Sequence, residues 1–118
     1  MLIFEIGKRS VGDVLVFEVK GFFNGDAGKE INDIAQETLR NGNIHYVIDF
    51  SQCRVVNSLG VGALIDLSSK VLDQYKGKLV FSGLDKLKTE VFNIVGLLGM
   101  IPVVKTADEG CKYISKNV

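Results

Sequence analysis

The sequence predicts an α/β fold in which a mixed five-stranded sheet is covered by four to five helices. Short apolar runs of strand length alternate along the chain with longer segments whose apolar residues recur at helical spacing. The first two runs are joined by a short turn, which predicts an antiparallel hairpin. The later runs are separated by helices, an order typical of parallel strands with crossover connections. The predicted element order is β-β-α-β-α-β-α-β-α.

The predicted hairpin occupies the start of the chain. Residues 2–8 alternate between apolar and other side chains, which predicts a strand with one buried face. A Gly-Asp turn follows, and residues 14–19 are rich in β-branched and aromatic side chains, as in a second strand. We expect this strand to end at Gly21. The apolar positions of the first strand are Leu2, Phe4 and Ile6.

The middle of the chain predicts a helix over residues 26–40, a strand over 46–50 and a second helix over 58–75. An Asn-Gly-Asn stretch after residue 40 ends the first helix, because Gly and Asn readily adopt the left-handed conformation of a helix cap. The strand is apolar throughout, as expected when both faces are buried. The helical positions expected in the core are Ala27, Ile31, Ile34, Ala35, Thr38, Leu39, Ala63, Leu64, Leu67, Val71, Leu72 and Tyr75.

The last part of the chain predicts a strand over 78–81, a helix capped by Asp85, a strand over 101–104 and a closing helix. Gly96 ends the helix that Asp85 begins. Thr106 and Glu109 have the spacing of a capping box. The positions expected in the core are Leu87, Val91, Ile94 and Val95 in one helix and Ala107, Cys111 and Ile114 in the other.

Length and composition predict one domain over residues 1–118 with a substantial core, because 47% of the residues are apolar. The 14 basic and 14 acidic residues are scattered, whereas nucleic-acid-binding proteins usually concentrate basic charge. No apolar run approaches the length of a membrane span and no signal-peptide pattern follows Met1, so we expect a cytoplasmic protein without membrane insertion. Cys53 and Cys111 lie outside any Cys-x-x-Cys motif, so we expect buried free thiols and no metal or cofactor.

The most informative segment is residues 46–62, where a buried strand and a loop lead to Asn57 and Ser58 at the start of a helix. A serine at this position can cap backbone N–H groups, and Asn57 can also cap the helix, so by local pattern alone Asn-Ser is an ordinary helix cap. A phosphate on Ser58 would lie at the positive end of the helix dipole, on a surface where we expect no other charge nearby. The glycines at positions 60 and 62 allow a partner to approach closely. No Gly-Lys-Ser/Thr follows, so a nucleotide-hydrolysing loop is not predicted.

Four short motifs, in order, resemble those of the STAS domain family, specifically the bacterial anti-sigma factor antagonists. Residues 49–51 are Asp-Phe-Ser where the family has Asp-Leu-Ser. Residues 57–62, Asn-Ser-Leu-Gly-Val-Gly, correspond to the family's Asp-Ser-Ser/Thr-Gly-Leu-Gly. Residues 21–24, Gly-Phe-Phe-Asn, match its Gly-x-x-Asp, and residues 92–97 match its Leu-x-x-x-Gly-Leu. The resemblance extends from about residue 12 to residue 114.

The resemblance implies a phosphorylation switch that regulates transcription. In this family the serine corresponding to Ser58 accepts the phosphate, and the unmodified protein binds a serine kinase that is also an anti-sigma factor. Phosphorylation abolishes that binding, and a phosphatase restores it. ATP belongs to the kinase, so the resemblance implies a binding protein and not an enzyme. The residues expected to contact the partner are Asn24, Asn57, Leu59, Gly60 and Val61.

Three positions depart from the family pattern and favour a second hypothesis. Asn57 and Asn24 replace acidic residues, and Leu59 replaces a second hydroxyl residue. These changes favour a STAS interaction module that is not phosphorylated, within a lipid-transport or signalling-scaffold complex. In either case Leu59, Val61 and Phe92 would form a partner-binding patch if their side chains were exposed beside Ser58.

Other polar residues are expected to have structural roles. His45 is the only histidine, and we expect it at the surface or at a strand edge. We expect Asp49, at a strand end, to bond to nearby loop backbone and not to form an acid–base pair with Asp26. Ser58 lacks the surroundings of a hydrolase nucleophile, because Val56 stands where Gly-x-Ser-x-Gly requires its first glycine.

Overall fold

The computed structural model describes residues 3–118, in which strands and helices alternate after an opening pair of strands. Its strands are β1 (Phe4–Val11), β2 (Val14–Phe23), β3 (His45–Val56), β4 (Lys78–Ser82) and β5 (Val103–Val104). Its α-helices are α1 (Gly25–Arg40), α2 (Ser58–Ser68), α3 (Lys86–Ile94) and α4 (Ala107–Lys116). A π-helix (Ser69–Gln74) continues α2, and a short 3₁₀-helix (Leu97–Gly99) follows α3.

The five strands of the described chain lie in the order β1-β2-β3-β4-β5, with β1 antiparallel to β2 and the other neighbours parallel. This confirms the predicted mixed sheet and its opening hairpin. Helices α1, α2 and α3 contribute to a large apolar core on one face of the sheet. Helix α4 packs on the other face through Ala107, Cys111 and Ile114, as predicted. The predicted strand position Leu2 lies outside the described residues.

Strands β2 and β3 extend further than the sequence predicts. β2 does not end at Gly21 but passes through it with φ of +80° and continues to Phe23. The register of the β2–β3 pair shifts at this point, and the pairing then continues to Phe23 opposite Val56. The segment predicted as a loop before Asn57 is therefore strand. The prediction failed because glycine in the left-handed region usually ends a strand, whereas here it accommodates a bulge.

The helix predicted over residues 58–75 is divided into two segments. α2 keeps α-helical geometry to Ser68, and the wider π-helix carries the chain to Gln74. Leu64, Leu67 and Val71 are buried as predicted. Tyr75, by contrast, is exposed just beyond the π-helix. The wider turn changes the angular spacing of side chains, which moves the last predicted core position away from the sheet.

The face that α3 turns toward the sheet differs from the prediction. Leu87 and Ile94 are 69% and 82% exposed, while Lys88 and Phe92 are buried. The Phe92 ring packs against two other phenyl rings of the core, with centroid separations of 5.4 and 5.5 Å. Burial of this aromatic ring determines the rotation of the helix. Lys88, one turn earlier on the same face, is buried with its ammonium 2.7 Å from the Asp85 carboxylate.

Local signals at the two last helices are confirmed in most respects. Asp85 caps α3 by accepting the N–H of Lys88. Thr106 caps α4 by accepting the N–H of Glu109 at 3.1 Å, but the Glu109 carboxylate accepts from the N–H of Lys105 and not from that of Thr106.

Cysteines 53 and 111 are free and buried, as predicted. Within residues 3–118, no helix has both the length and the apolar character needed to cross a membrane.

Candidate functional site

The candidate site lies where β2 and β3 end side by side and two helices begin. Phe23 and Val56 are paired in register, and Asn24 and Asn57 follow them directly. Asn24 accepts the N–H of Ala27 at 2.9 Å and so caps α1. Asn57 donates its own N–H to the Phe23 carbonyl at 3.2 Å. The parallel pairing of the two strands therefore brings both helix N-termini to one edge of the sheet.

Asn57, and not Ser58, caps α2. Its side-chain oxygen accepts the N–H of Gly60 at 2.9 Å. Ser58 is the first residue of the helix and is exposed. Its hydroxyl makes no hydrogen bond to any other residue from 3 to 118. The asparagine carries out the capping, so the neighbouring hydroxyl is available to solvent or to a partner.

The residues after Ser58 divide between surface and core. Leu59 is 69% exposed, and its side chain lies over Gly25 at the start of α1. Gly60 and Val61 are buried, so an approaching protein would meet Leu59 before it met either of them. Phe92 is fully buried in the core. Of the three apolar side chains whose exposure the sequence left open, only that of Leu59 therefore belongs to the surface beside Ser58.

A shallow groove of about 640 Å³ runs from Ser58 along the contact between α1 and α2. Its lining includes the charged side chains of Lys29, Asp66 and Lys70. Lys29 comes from α1, which the sequence does not place beside Ser58. The lining residues on α2 and its continuation could have been predicted from the sequence, because residues 58, 62, 66 and 70 recur every four positions and so share one helix face.

Close contact between the two helices forms the base of this groove. A Cβ on Gly28 would lie 2.3 Å from the Cβ of Ala63, so the absence of a side chain at Gly28 is what allows α1 to approach α2. The amide of Asn32 donates hydrogen bonds to the carbonyls of Gly28 and Ala63, each at 3.0 Å. These bonds join the helices and fix the shape of the groove.

Comparison with protein-family models identifies the family. The model for the STAS domain matches residues 5–110, which is nearly the whole chain. The chain belongs to the STAS domain family. None of the curated protein sequences compared with it matches.

Solved structures show how closely this STAS domain follows the fold. An anti-sigma factor antagonist from Mycobacterium paratuberculosis has a TM-score of 0.81 at 16% identity, over 96% of this chain and 95% of that one. The Bacillus cell fate determinant SpoIIAA in its phosphorylated form gives 0.75 at 17% identity, over 93% and 99%. A sulfate transporter family protein from Wolinella succinogenes gives 0.72 at 16% identity, over 92% and 90%. At these low sequence identities, the structural comparisons show a shared fold.

Asp49 has a structural role in this STAS domain. Its two carboxylate oxygens accept hydrogen bonds from the hydroxyls of Ser51 at 2.6 Å and Ser82 at 2.8 Å. The partners are thus two hydroxyl groups on β3 and β4 and not the loop backbone that the sequence suggested. Asp26 is exposed in the first turn of α1, on a different element. The two carboxylates each have separate surroundings, as expected.

His45 is buried, contrary to the expectation of a surface or strand-edge residue. It begins β3 between β2 and β4, opposite Val14 and Lys78. Its Nδ1 accepts the backbone N–H of Lys78 at 3.2 Å. Burial lowers the pKa of His45 below its ordinary value, and the nearby charge of Lys78 lowers this pKa further. The described part of this STAS domain contains no group of three or more His, Cys, Asp and Glu side chains that could hold a metal ion.

Proposed function

We propose that this STAS domain is an anti-sigma factor antagonist-like regulator of transcription that acts in the cytoplasm. In this proposal the unmodified protein binds a serine kinase that is also an anti-sigma factor. The kinase transfers the γ-phosphoryl group of ATP to the Ser58 oxygen, the hydroxyl proton passes to a base of the kinase, and ADP leaves. The phosphorylated protein then dissociates, and a phosphatase regenerates the binding form. The chain supplies a hydroxyl and a docking surface and is itself no enzyme.

One observation carries the proposal. The hydroxyl of Ser58 is exposed on the first residue of α2, because the capping role is taken by Asn57. A kinase needs an acceptor hydroxyl that it can reach without unfolding its substrate. Leu59, exposed next to Ser58, gives a docking partner an apolar contact at the same place. The fold that this chain shares with phosphorylated SpoIIAA supports the same assignment.

Electrostatics explain how one phosphate would reverse binding. Phosphoserine carries about −1.5 to −2 charges at pH 7. At the N-terminus of α2 the helix dipole tolerates this charge, so the free protein stays folded. In a docked interface the same charge would be desolvated without a partner, at a cost on the order of 3–5 kcal/mol. This corresponds to a loss of affinity of about a hundredfold or more.

Phosphorylation and calorimetry test the proposal together. The purified protein is incubated with ATP and the kinase encoded nearest its gene, and the product is mapped by mass spectrometry. We expect one phosphate, located at Ser58, which Ser58→Ala removes and which Ser115→Ala, a change of an exposed serine on α4, leaves in place. Calorimetry should show that Ser58→Asp binds the kinase at least about tenfold more weakly than wild type. Equal affinities would contradict the switch.

A second candidate function has its own support. Asn24 and Asn57 place neutral caps where the family has acidic residues, and Leu59 places an exposed apolar side chain where it has a hydroxyl. These features suit a module that binds constantly within a lipid-transport or signalling-scaffold complex. The fold shared with a sulfate transporter family protein is consistent with this. Kinase binding without any mass gain at Ser58 would favour this candidate.

A further inference from the structure

Strand β1 leaves one edge of the sheet open. It pairs with β2 from Phe4 to Val11 and has no second neighbouring strand among residues 3–118. The opposite edge of the sheet is formed by β5, which has only two residues. An open edge strand of eight residues can pair with a further strand through its main chain, so β1 is the edge at which this sheet can be extended.

The backbone groups that face away from the sheet belong to alternate residues of β1. The carbonyl of Ile3 accepts the N–H of Phe22 at 3.1 Å, so residue 3 turns its backbone toward β2. Residues of an antiparallel pair alternate between hydrogen-bonded and non-hydrogen-bonded positions. The odd-numbered residues of β1 therefore bond to β2, and the even-numbered residues from 4 to 10 direct their N–H and C=O groups outward.

The side chains of β1 alternate between the two faces of the sheet. Phe4 and Ile6 pack against the larger core. Arg9 lies on the opposite face, where its guanidinium is 3.6 Å from the Asp108 carboxylate of α4. The alternation of side chains along a strand places every odd-numbered residue on this α4 face. These residues are, in order, Ile3, Glu5, Gly7, Arg9 and Val11.

This row of side chains is complementary to a second copy of itself. When two β1 strands pair antiparallel about a two-fold axis at Gly7, Glu5 of each copy lies opposite Arg9 of the other. Ile3 and Val11, which are 66% and 37% exposed, then lie opposite each other at both ends of the pair. One register thus pairs opposite charges twice and covers two exposed apolar side chains twice.

The neighbouring registers lack this complementarity. An axis at Lys8 would place the two Lys8 side chains directly opposite each other, and like charges at that position are destabilising. An axis at Ile6 would place Glu5 opposite Gly7, so the charges would not meet. With the axis at Gly7, residue 4 meets residue 10 and residue 6 meets residue 8. All of these are outward-facing, so the two strands form roughly eight main-chain hydrogen bonds.

The charged side chains of the row are available for contacts between copies. Arg9 approaches Glu18 and Asp108 only at 3.9 and 3.6 Å, and Glu5 approaches Lys20 at 3.8 Å. Such long ion pairs at exposed positions stabilise a chain little. The 14 basic and 14 acidic residues of each chain also balance, so two copies approach without net repulsion.

We propose that the protein forms a symmetric homodimer in which two copies of β1 pair antiparallel about Gly7. The two five-stranded sheets then join into one continuous sheet. Cross-strand contacts between Glu5 and Arg9 fix the register, and the apolar ends of the two strands cover each other. The inference goes beyond the proposed function and does not depend on it, because β1 contains neither Ser58 nor the residue that caps its helix.

Charge reversal tests the register of this dimer. Sedimentation equilibrium should show wild type as a dimer at about 0.1 mM. Glu5→Arg and Arg9→Glu should each weaken the dimer at least about tenfold, because each places like charges opposite one another. An equimolar mixture of the two variants should associate as strongly as wild type, since each supplies the charge that the other lacks. Lys86→Glu, an exposed change on α3, should leave association unchanged.

A proline at the open edge tests the main-chain pairing. Lys8→Pro removes an N–H that faces outward and leaves the bonds to β2 intact, so circular dichroism should show a folded chain. We expect Lys8→Pro to be monomeric, whereas Lys8→Ala, which removes the same charge, should associate within about twofold of wild type. A wild-type protein that is monomeric at about 0.1 mM would overturn the inference and leave this edge for a strand of another protein. A dimer that Lys8→Pro and both charge reversals leave intact would overturn it as well.

Discussion

Asn24 and Asn57 are structural counterparts: each follows one of two paired strand residues, and each accepts the N–H of the residue three positions later at 2.9 Å. The sheet register thus fixes the start of α1 relative to the start of α2. Because the two capping bonds are equivalent, the surface around Ser58 depends on both. The free energy of unfolding should therefore report whether both capping bonds are intact.

Removal of either cap should destabilise the protein to a similar extent. We expect Asn24→Ala and Asn57→Ala each to lower the free energy of unfolding by about 1 kcal/mol, because an N–H of the first turn loses its acceptor. Asn24→Asp and Asn57→Asp should retain full stability, since a carboxylate accepts the same bond and suits the helix dipole. Urea unfolding followed by circular dichroism measures all four. An Asn57→Ala variant with the same free energy of unfolding as wild type would show that the cap does not stabilise α2.

Gly60 and Gly62, two residues apart in α2, should respond oppositely to alanine. A Cβ at Gly60 would lie 2.3 Å from the backbone oxygen of Phe23, so we expect Gly60→Ala to destabilise by at least about 1–3 kcal/mol. At Gly62 the Cβ enters open space, so Gly62→Ala should stabilise by up to about 1 kcal/mol through helix propensity. Thermal and urea unfolding of both variants check the pair, and effects of the same sign would contradict the packing described.

A negative charge at Ser58 should stabilise the isolated protein even though it weakens partner binding. The first turn of α2 contains no acidic residue, so the positive end of its dipole lacks a compensating side chain. We expect Ser58→Asp to be more stable than Ser58→Asn by about 0.3–1 kcal/mol at low salt. The neutral variant controls for size, and the difference should shrink in about 1 M NaCl. A less stable Ser58→Asp would mean that the fold resists phosphorylation.

Stability should decrease in mild acid because of His45. The pKa of His45 in the folded protein is lowered from its ordinary 6.5 by burial, with the charge of Lys78 adding to the effect. Below about pH 6.5 the unfolded chain therefore binds a proton more readily than the folded one, so the free energy of unfolding falls as the pH is lowered. Urea midpoints at pH 7.5 and 5.5 measure this. His45→Asn can still accept the Lys78 N–H and should show a smaller decrease over the same interval.

Periodicity was sufficient to predict the main architecture. The opening hairpin, the parallel strands and the inward face of α4 follow from local patterns that the packed structure preserves. The orientation of α3 could not be predicted in this way. Its four apolar residues at helical spacing and the single ring of Phe92 lie on different faces, and only one face can pack against the sheet. The ring is buried because it contacts two phenyl rings on strands that are distant in the sequence.

The candidate site was also predictable only in part, because local patterns do not reveal contacts between distant segments. Ser58 and its helix start could be located from sequence, but which of Asn57 and Ser58 caps α2 depends on backbone angles at the strand end. The groove needs two helices in contact. Its α1 side, with Lys29 and Asn32, follows from the close approach of Gly28 to Ala63, which no local pattern reveals.

The burial of Lys88 gives this domain a built-in chemical probe of its own motions. Its side chain is only 6% accessible and its amine lies 2.7 Å from the Asp85 carboxylate, whereas Lys86, two residues earlier, is exposed. An acylating reagent should therefore modify Lys86 at once and Lys88 only when α3 detaches from the sheet. The ratio of the two modified peptides over time would report how frequently this helix opens.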